Sequence, residues 1–218
     1  VVSGNGQFTF ETLVAESERE TTFADTKADD MCFWLYSSGS TGAPKGTVHA
    51  HSSLAQTAEL YGKPILGIRE NDVVFSAAKL FFAYGLGNGL SFPLSVGATT
   101  ILMAERPTPA AVFARLTKHQ PTIFYGVPTL FAAMLASSDL PSTDKVNLRR
   151  CASAGEALPK DLGERWQRHF GVDILDGIGS TEMLHIFMSN QSDDVRYCTT
   201  RQAVPGYEIS LVYDHGET

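Results

Sequence analysis

The sequence is poor in the features that mark secreted, membrane-spanning and nucleic-acid-binding proteins. It has three cysteines in 218 residues and no C-x-x-C pair, which suits a reducing compartment and predicts no disulfide framework. No apolar run approaches the ~18 residues that span a membrane, and no signal peptide is visible. With 17 basic and 24 acidic residues the net charge is −7, which disfavours a nucleic-acid or anionic-membrane surface. We therefore expect a cytoplasmic protein that binds neither nucleic acid nor membrane.

Common enzyme signatures are also missing. The segment 36–46, YSSGSTGAPKG, is not a Walker A loop, because its lysine stands between Pro44 and Gly46. Its glycines have the wrong spacing for a dinucleotide-binding fingerprint. No Ser-His-Asp triad is evident, and the pair His49 and His51 lacks a third ligand for zinc. What the segment does offer is backbone N–H groups, hydroxyls and one cation, the groups that bind phosphate.

The order of apolar runs predicts the fold class. Strand candidates alternate with helix candidates, several of which begin at a proline or behind a threonine. This alternation predicts an α/β protein with a mostly parallel sheet and flanking helices. The strand candidates are 31–36, 72–76, 98–103, 121–125, 149–153 and 172–176, and the helix candidates are 52–61, 109–119, 128–136 and 159–170.

Glycine-rich segments follow five of the strand candidates. Ligands bind at the carboxyl ends of the strands in parallel sheets. We therefore expect these segments to meet at one edge of the sheet and to form a site there. They are YSSGSTGAPKG after the first strand, FFAYGLGNG after the second, YGVPT after the fourth, ASAGEALP after the fifth and DGIGSTE after the sixth.

The loop SSGSTGAPKG at 37–46 resembles the signature loop of the adenylate-forming superfamily, which includes acyl-CoA synthetases, adenylation domains of peptide synthetases and luciferases. Three further segments resemble the other motifs of this superfamily, in the same order, with isoleucine replacing the usual aromatic residue of the last. The resemblance covers essentially the whole chain and is greatest to the aryl-CoA ligases. The three segments are KLFFAYGLGNG at 79–89, ASAGEAL at 152–158 and IGSTE at 178–182.

This resemblance implies an acid–thiol ligase that activates benzoate or a close analogue. Such an enzyme uses ATP to form an acyl-adenylate and pyrophosphate, and then forms the coenzyme A thioester and AMP. Attack of a carboxylate on a phosphate brings anions together, so Mg²⁺ and a lysine must offset their repulsion. The implied partners are a small aromatic carboxylic acid, ATP and coenzyme A, and a homodimer is also compatible with the family.

The resemblance also implies roles for individual residues. Lys45, Thr181 and Glu182 are the implied catalytic residues, and Glu182 would hold Mg²⁺, a hard cation that takes oxygen ligands. Without the preceding Gly-Ser-Thr, Glu182 would be interpreted as an ordinary exposed carboxylate. The implied ATP-binding residues are Ser38, Gly39, Ser40, Thr41, Gly42, Lys45, Ser153, Ala154, Gly155, Glu156, Asp176, Gly177 and Thr181.

An aryl acid needs a flat apolar slot with few polar groups. Small side chains at several of the implied positions would let a ring lie between backbone segments. For any one of the aromatic residues, a place in the core is the alternative. His185 could contact the substrate or cap a local turn, and the sequence leaves both open. The implied acid-binding residues are Phe82, Ala83, Tyr84, Tyr125, Gly126, Ala154, Gly179, His185 and Ile186.

Members of the superfamily are longer than this chain. They continue into a ribose-binding aspartate, a hinge and a small C-terminal domain with a catalytic lysine, for which the sequence shows no counterpart. We therefore interpret 1–30 as an upstream remnant with a linker and 31–218 as an incomplete central AMP-binding segment of the large N-terminal domain, which we expect to be inactive alone. The alternative is a non-catalytic ATP- or acid-binding module, or a non-functional remnant. A peptide-synthetase adenylation domain is disfavoured, because no acidic residue is placed to pair with an ammonium group.

Overall fold

The structure, a computed structural model, describes residues 9–38 and 42–212 as alternating strands and helices. The strands are β1 Met31–Ser37, β2 Lys45–Ala50, β3 Val73–Ser76, β4 Thr99–Ile101, β5 Ile123–Gly126, β6 Arg150–Ser153, β7 Ile174–Gly179, β8 Ile186–Ser189 and β9 Gln202–Ala203. The α-helices are α1 Phe10–Glu16, α2 His51–Thr57, α3 Ala83–Leu86, α4 Phe92–Val96, α5 Pro109–His119, α6 Pro128–Leu135 and α7 Lys160–Phe170. Two π-helical turns, Ala58–Gly62 and Gly87–Ser91, and a 3₁₀ turn, Thr143–Lys145, complete the helical set.

Seven of these strands form one sheet in the order β4-β3-β5-β6-β7-β8-β9. The pairings from β4 to β7 are parallel, and those that add β8 and β9 are antiparallel. The helices between the parallel strands serve as their crossovers, as parallel pairing requires. The prediction of an α/β fold with a mostly parallel sheet and flanking helices is therefore confirmed.

Side chains alternate between the two faces of this sheet and build two cores. Along β5, Phe124 packs into a core with α5, α6 and α7, whereas Ile123 and Tyr125 pack into a core that includes Tyr61 and Phe92. This alternation follows from the two-residue period of a strand. Helices therefore cover both faces, which leaves the strand ends as the place for a site. No helix within 9–38 or 42–212 has the length and apolar character needed to cross a bilayer.

The first strand candidate does not join this sheet, so its predicted place there is wrong. β1 instead pairs antiparallel with β2 in a separate two-stranded hairpin, with Tyr36 opposite Gly46 and Ser37 opposite Lys45. The residues KGTVHA, which include the end of the glycine-rich loop, form the second strand of this hairpin, a strand that was not predicted from the sequence. The loop therefore joins two hairpin strands, and only the other glycine-rich segments follow strands of the large sheet.

The segment after β3, expected to be a glycine-rich loop, is helical from Ala83 to Val96. Its glycines are needed for close packing. A Cβ on Gly85 would lie 2.0 Å from the carbonyl oxygen of Lys79, and one on Gly87 would lie 2.5 Å from Cδ2 of His185. Both distances are shorter than real Cβ contacts, so larger residues would force these elements apart.

The predicted helices agree with the structure to within one or two residues. α5 spans the predicted 109–119, and the hydroxyl of Thr108 accepts a hydrogen bond from the N–H of Ala111 at 3.3 Å, as an N-cap does. α7 begins at Lys160, because Pro159 is the N-cap residue instead of the first helical residue. The candidate helix 52–61 covers α2 and most of the π-helical turn that follows it.

Candidate active site

Two clefts open at the carboxyl edge of the parallel strands. The first, here called the apolar cleft, has a volume of about 530 Å³ and is lined by residues that follow β3, β5, β6 and β7. The second, here called the polar cleft, has a volume of about 700 Å³ and lies between β7 and the segment 198–201. Both clefts are lined by Gly155 and Gly179, so they meet at these two glycines. A ligand in one cleft can therefore contact a ligand in the other.

The apolar cleft brings together most of the residues assigned to acid binding. Tyr125 is the exception, because it is fully buried and packs edge-on against Tyr84, with 6.4 Å between ring centroids. Thr181, assigned to catalysis, also lines this cleft. The assigned acid-binding residues that line the cleft are Phe82, Ala83, Tyr84, Gly126, Ala154, Gly179, His185 and Ile186.

His185 is buried in a ring of aromatic side chains at the cleft wall. His185 follows the turn at 180–184, but its Nε2 lies 3.1 Å from Oδ1 of Asn88, in a segment 97 residues away. The rings of Phe92, Tyr61 and Tyr84 have centroids 4.6, 5.0 and 5.5 Å from the imidazole. Burial lowers the pKa of His185 to about 3. His185 is therefore a neutral donor to Asn88 and part of an aromatic wall.

The polar cleft contains part of the set assigned to ATP. Gly155, Glu156, Asp176 and Gly177 line it, whereas Ala154 lines the apolar cleft and Ser153 is fully buried. Six further residues line the polar cleft and were not predicted from the sequence. Ala157 and Ile178 lie within recognised motifs without an assigned role, whereas Cys198, Thr199, Thr200 and Arg201 belong to no recognised motif and form the opposite wall.

Asp176 is a buried carboxylate on β7, where the polar cleft meets the sheet. Its Oδ2 accepts a hydrogen bond from the N–H of Leu158 at 3.1 Å, and its side chain is nearly inaccessible to solvent. Burial disfavours the charged form and raises the pKa of Asp176 to about 6. The carboxyl group therefore titrates near neutral pH and is charged above about pH 6.

The glycine-rich loop lies in the β1–β2 hairpin. Ser38 follows β1, Gly42 has a left-handed φ of +81°, and Lys45 begins β2 with an exposed side chain. The left-handed conformation favours glycine at position 42, since L-residues adopt it at a steric cost. The three remaining loop residues of the ATP-binding assignment, Gly39, Ser40 and Thr41, lie outside the described residues.

The last motif forms a tightly bonded turn after β7. The hydroxyl of Ser180 accepts a hydrogen bond from the N–H of Met183 at 3.1 Å, and the carbonyl of Thr181 accepts one from the N–H of Leu184, also at 3.1 Å. The Thr181 carbonyl also lies 2.9 Å from Nε2 of His49 on β2. Glu182 lies at the exposed tip of this turn. Over 9–38 and 42–212, no three His, Cys, Asp or Glu side chains cluster as metal ligands.

Comparison with known proteins identifies the family. The family model for AMP-binding enzymes matches residues 2–218. The chain belongs to the AMP-binding enzymes. The resemblance drawn from the four sequence motifs is therefore confirmed.

Individual relatives are similar over nearly the whole chain. It is 67% identical to a benzoate–CoA ligase of Thauera aromatica over 99% of its length, and 51% identical to a 4-hydroxybenzoate–CoA/benzoate–CoA ligase of Rhodopseudomonas palustris over 94%. The present chain spans only 41% and 38% of the lengths of these two relatives. The structure is similar to that of a benzoate–CoA ligase from Burkholderia xenovorans, with a TM-score of 0.91 and 64% identity over 95% of this chain and 42% of that one. It is also similar to the anthranilate–CoA ligase AuaEII bound to anthranoyl-AMP, with a TM-score of 0.92 and 41% identity over 100% of this chain and 42% of that one.

Proposed function

We propose that the full-length protein containing this chain is a benzoate–CoA ligase. It activates benzoate or a close analogue with ATP and transfers the acyl group to coenzyme A. The observation that carries this proposal is the meeting of an apolar and a polar cleft at Gly155 and Gly179, in a chain 67% identical to a benzoate–CoA ligase. The aromatic acid occupies the first cleft and the nucleotide the second.

The composition of the apolar cleft supports an aromatic acid without an ammonium group as substrate. Among the described residues that line it, the one charged side chain is Lys79, and no acidic side chain is present. An ammonium group would therefore enter without a counterion, at a considerable desolvation cost. The neutral imidazole of His185 and the ring of Tyr84 both line the cleft and give it an aromatic wall against which an aryl ring packs. Amino acids are therefore disfavoured as substrates.

The polar cleft and the phosphate loop hold ATP in this proposal. The adenine lies along the turn Gly155–Glu156 and the β7 segment Asp176–Gly177, and Lys45 and Thr181 bind the phosphates. Lysine is suited to phosphate as a compact cation with three donors. Because both clefts are lined by Gly155 and Gly179, the acid and the α-phosphate approach each other where these two residues contribute no side chain.

A magnesium ion fits the donor set of the Thr181–Glu182 turn. A carboxylate and an adjacent hydroxyl are oxygen donors of the kind that Mg²⁺ prefers, and substrate phosphates and water commonly complete its shell. The absence of a three-carboxylate cluster from the described residues is compatible with such a site. When bound, the ion would offset the charge of the triphosphate. Glu182 would hold it, while Lys45 neutralises the departing pyrophosphate.

The reaction follows from these placements. The benzoate carboxylate attacks the α-phosphorus, the bond to the β-phosphate oxygen breaks, and pyrophosphate leaves with the electron pair. The thiolate of coenzyme A then attacks the acyl carbon and AMP leaves. The carboxylate is itself the nucleophile in the first step, so no side-chain nucleophile is required. The contribution of this chain is to bring two anions together and to exclude water from the apolar cleft.

Pyrophosphate release across a panel of acids tests this proposal. We expect the full-length protein to favour benzoate over hexanoate by at least about tenfold in kcat/KM, since an apolar aryl slot discriminates shape and size. Benzoyl-CoA should form only when ATP, Mg²⁺ and coenzyme A are all present. A preference for hexanoate would overturn the aryl assignment. Absence of pyrophosphate with every acid would overturn the proposed reaction.

A further inference from the structure

The phosphate loop and the Thr181–Glu182 turn belong to separate parts of the fold. The loop joins the strands of the β1–β2 hairpin, and this hairpin has no backbone pairing with the seven-stranded sheet. The turn follows β7, a strand of that sheet. In the proposed function the loop and the turn bind the same triphosphate, so the distance between them must match the length of that ligand. Something must therefore fix the hairpin against the sheet.

His49 makes the connection. It lies on β2, four residues after Lys45, and is only 4% exposed. Its Nε2 is 2.9 Å from the carbonyl oxygen of Thr181, which is 132 residues away in the chain. Because a carbonyl oxygen only accepts, the imidazole must donate from Nε2. In the described part of the chain, no other side-chain hydrogen bond leaves β1 or β2.

Both ends of this contact are held in place by their surroundings. The imidazole packs against the ring of Phe33 on β1, with 5.2 Å between centroids. The Thr181 carbonyl also accepts the N–H of Leu184, which fixes its direction. Removing the partner of a buried hydrogen-bond donor costs more free energy than removing the partner of an exposed donor, because no water molecule can take the partner's place. The bond therefore joins two locally ordered elements and transmits the position of one to the other.

We propose that His49 is a positioning residue that sets the distance between the phosphate loop and the Thr181–Glu182 turn, so that both bind the same triphosphate. This inference rests on the proposed nucleotide site. His49 does not touch the substrates and acts through the Thr181 carbonyl. Its removal should weaken ATP binding much more than binding of the aromatic acid, because no described residue of the hairpin lines the apolar cleft and Thr181 is one residue of its wall among many.

Two substitutions in the full-length protein separate the hydrogen bond from the packing. His49→Leu fills a similar volume without a donor, whereas His49→Gln keeps an N–H at comparable reach. Both lose the aromatic contact with Phe33, so they differ mainly in the donor. His119→Gln, at the exposed end of α5, is the matched control for loss of an imidazole. The measurements are KM for Mg·ATP and for benzoate, together with calorimetric binding of a non-hydrolysable Mg·ATP analogue.

We expect His49→Leu to raise KM for Mg·ATP and the Kd of the analogue by about five- to tenfold, the size of one net hydrogen bond. KM for benzoate should change by less than about twofold, and His49→Gln should recover most of the loss. His119→Gln should match the unsubstituted protein. If His49→Leu does not fold, His49→Asn, whose amide is too short to reach Thr181, replaces it in the comparison with His49→Gln.

Several results would overturn the inference. These are unchanged nucleotide binding in His49→Leu, an equal loss for benzoate and ATP, or no difference between the Leu and Gln variants. If the unsubstituted protein binds the analogue but turns over no acid, the proposed reaction fails, and the analogue Kd still tests the role of His49. Absence of nucleotide binding in the unsubstituted protein would overturn both.

Discussion

Lys79, on the loop after β3, donates from its ammonium group to the backbone carbonyl of Met103, beyond β4. The same group donates to the carbonyl of Glu105, and both Lys79 and Pro107 line the apolar cleft. The charged end of Lys79 is therefore engaged by backbone oxygens, and it ties the segment 103–107 to the wall of the cleft.

The Lys79→Met variant should loosen this wall. We expect KM for benzoate to rise by about three- to tenfold, because hydrogen bonds from a charged donor are lost while the apolar stem is kept. The kcat/KM for bulkier aryl acids should rise relative to that for benzoate, because the wall can move outward to admit them. Steady-state kinetics with benzoate and 4-phenylbenzoate measure both effects, and Lys118→Met, on the exposed face of α5, is the control. An unchanged preference between the two acids would contradict a role for this tether.

Lys45→Ala tests the phosphate loop. Loss of a charge-assisted phosphate contact should cost roughly 1.5–3 kcal/mol, seen as an increase in KM for Mg·ATP or a fall in kcat. The affinity for benzoate should change little, since Lys45 does not line the apolar cleft. Lys63→Ala, a partly exposed lysine paired with Glu59, serves as the control. ATP kinetics equal to those of the control would remove Lys45 from the site.

Ala154→Leu tests the acid cleft. Ala154 is 6% exposed and lines the apolar cleft, so added carbon atoms must enter the space for the ring. Overpacking of this kind costs about 1–3 kcal/mol and should act on benzoate while the Kd of an ATP analogue is retained. Ala83→Trp should act in the same way. Ala133→Leu, on the exposed side of α6, controls for the larger side chain. Equal losses of acid and nucleotide affinity would indicate general misfolding.

The buried carboxyl of Asp176 should make stability depend on pH. Its pKa is raised from 3.8 to about 6, so the folded state holds the proton more tightly than the unfolded state. Burying the charged carboxylate lowers the free energy of unfolding. This loss of stability is absent below the unfolded pKa of 3.8, grows as the pH rises from there, and is fully present above about pH 6. Asp176→Asn removes this loss of stability. The free energy of unfolding should rise by at most about 3 kcal/mol at about pH 8 and by little or nothing at about pH 4.

Thermal or urea unfolding of the ligand-free protein at both pH values measures this difference. Asp139→Asn, at an exposed position, controls for the general effect of removing a negative charge. If Asp176→Asn raises the free energy of unfolding by the same amount at both pH values, the carboxyl group is not selectively protonated in the folded state.

Sequence patterns were informative where one short segment specifies its own structure. Thr108 and Pro109 mark the start of α5, and both bounds of that helix were correct. The four motifs correctly identified the family, since all four occur along the chain in the family's order. The hairpin was missed because β1 and β2 pair only with each other. A strand pattern does not reveal its partner.

The missed parts of the site depend on contacts between distant segments. The segment 198–201 carries no periodic or glycine-rich pattern, and it becomes a wall of the polar cleft only when the chain returns to β7. His49 was considered only as a metal ligand, because its partner is a backbone carbonyl 132 residues away. The helical segment after β3 was mistaken for a loop, because its glycines look like turn residues and in fact allow close packing.

The close approach of Gly87 to His185 has a consequence for engineering. Any side chain at position 87 would displace the imidazole, whose Cδ2 would lie 2.5 Å from the new Cβ. Gly87 does not line the apolar cleft, yet the space that it leaves determines where the imidazole of His185, part of the cleft wall, can lie. Libraries that vary position 185 alone therefore explore only the shapes that a glycine at 87 permits. Randomising both positions together opens combinations in which a smaller residue at 185 compensates for a larger one at 87, an epistatic route to new substrates that single-site scans would miss.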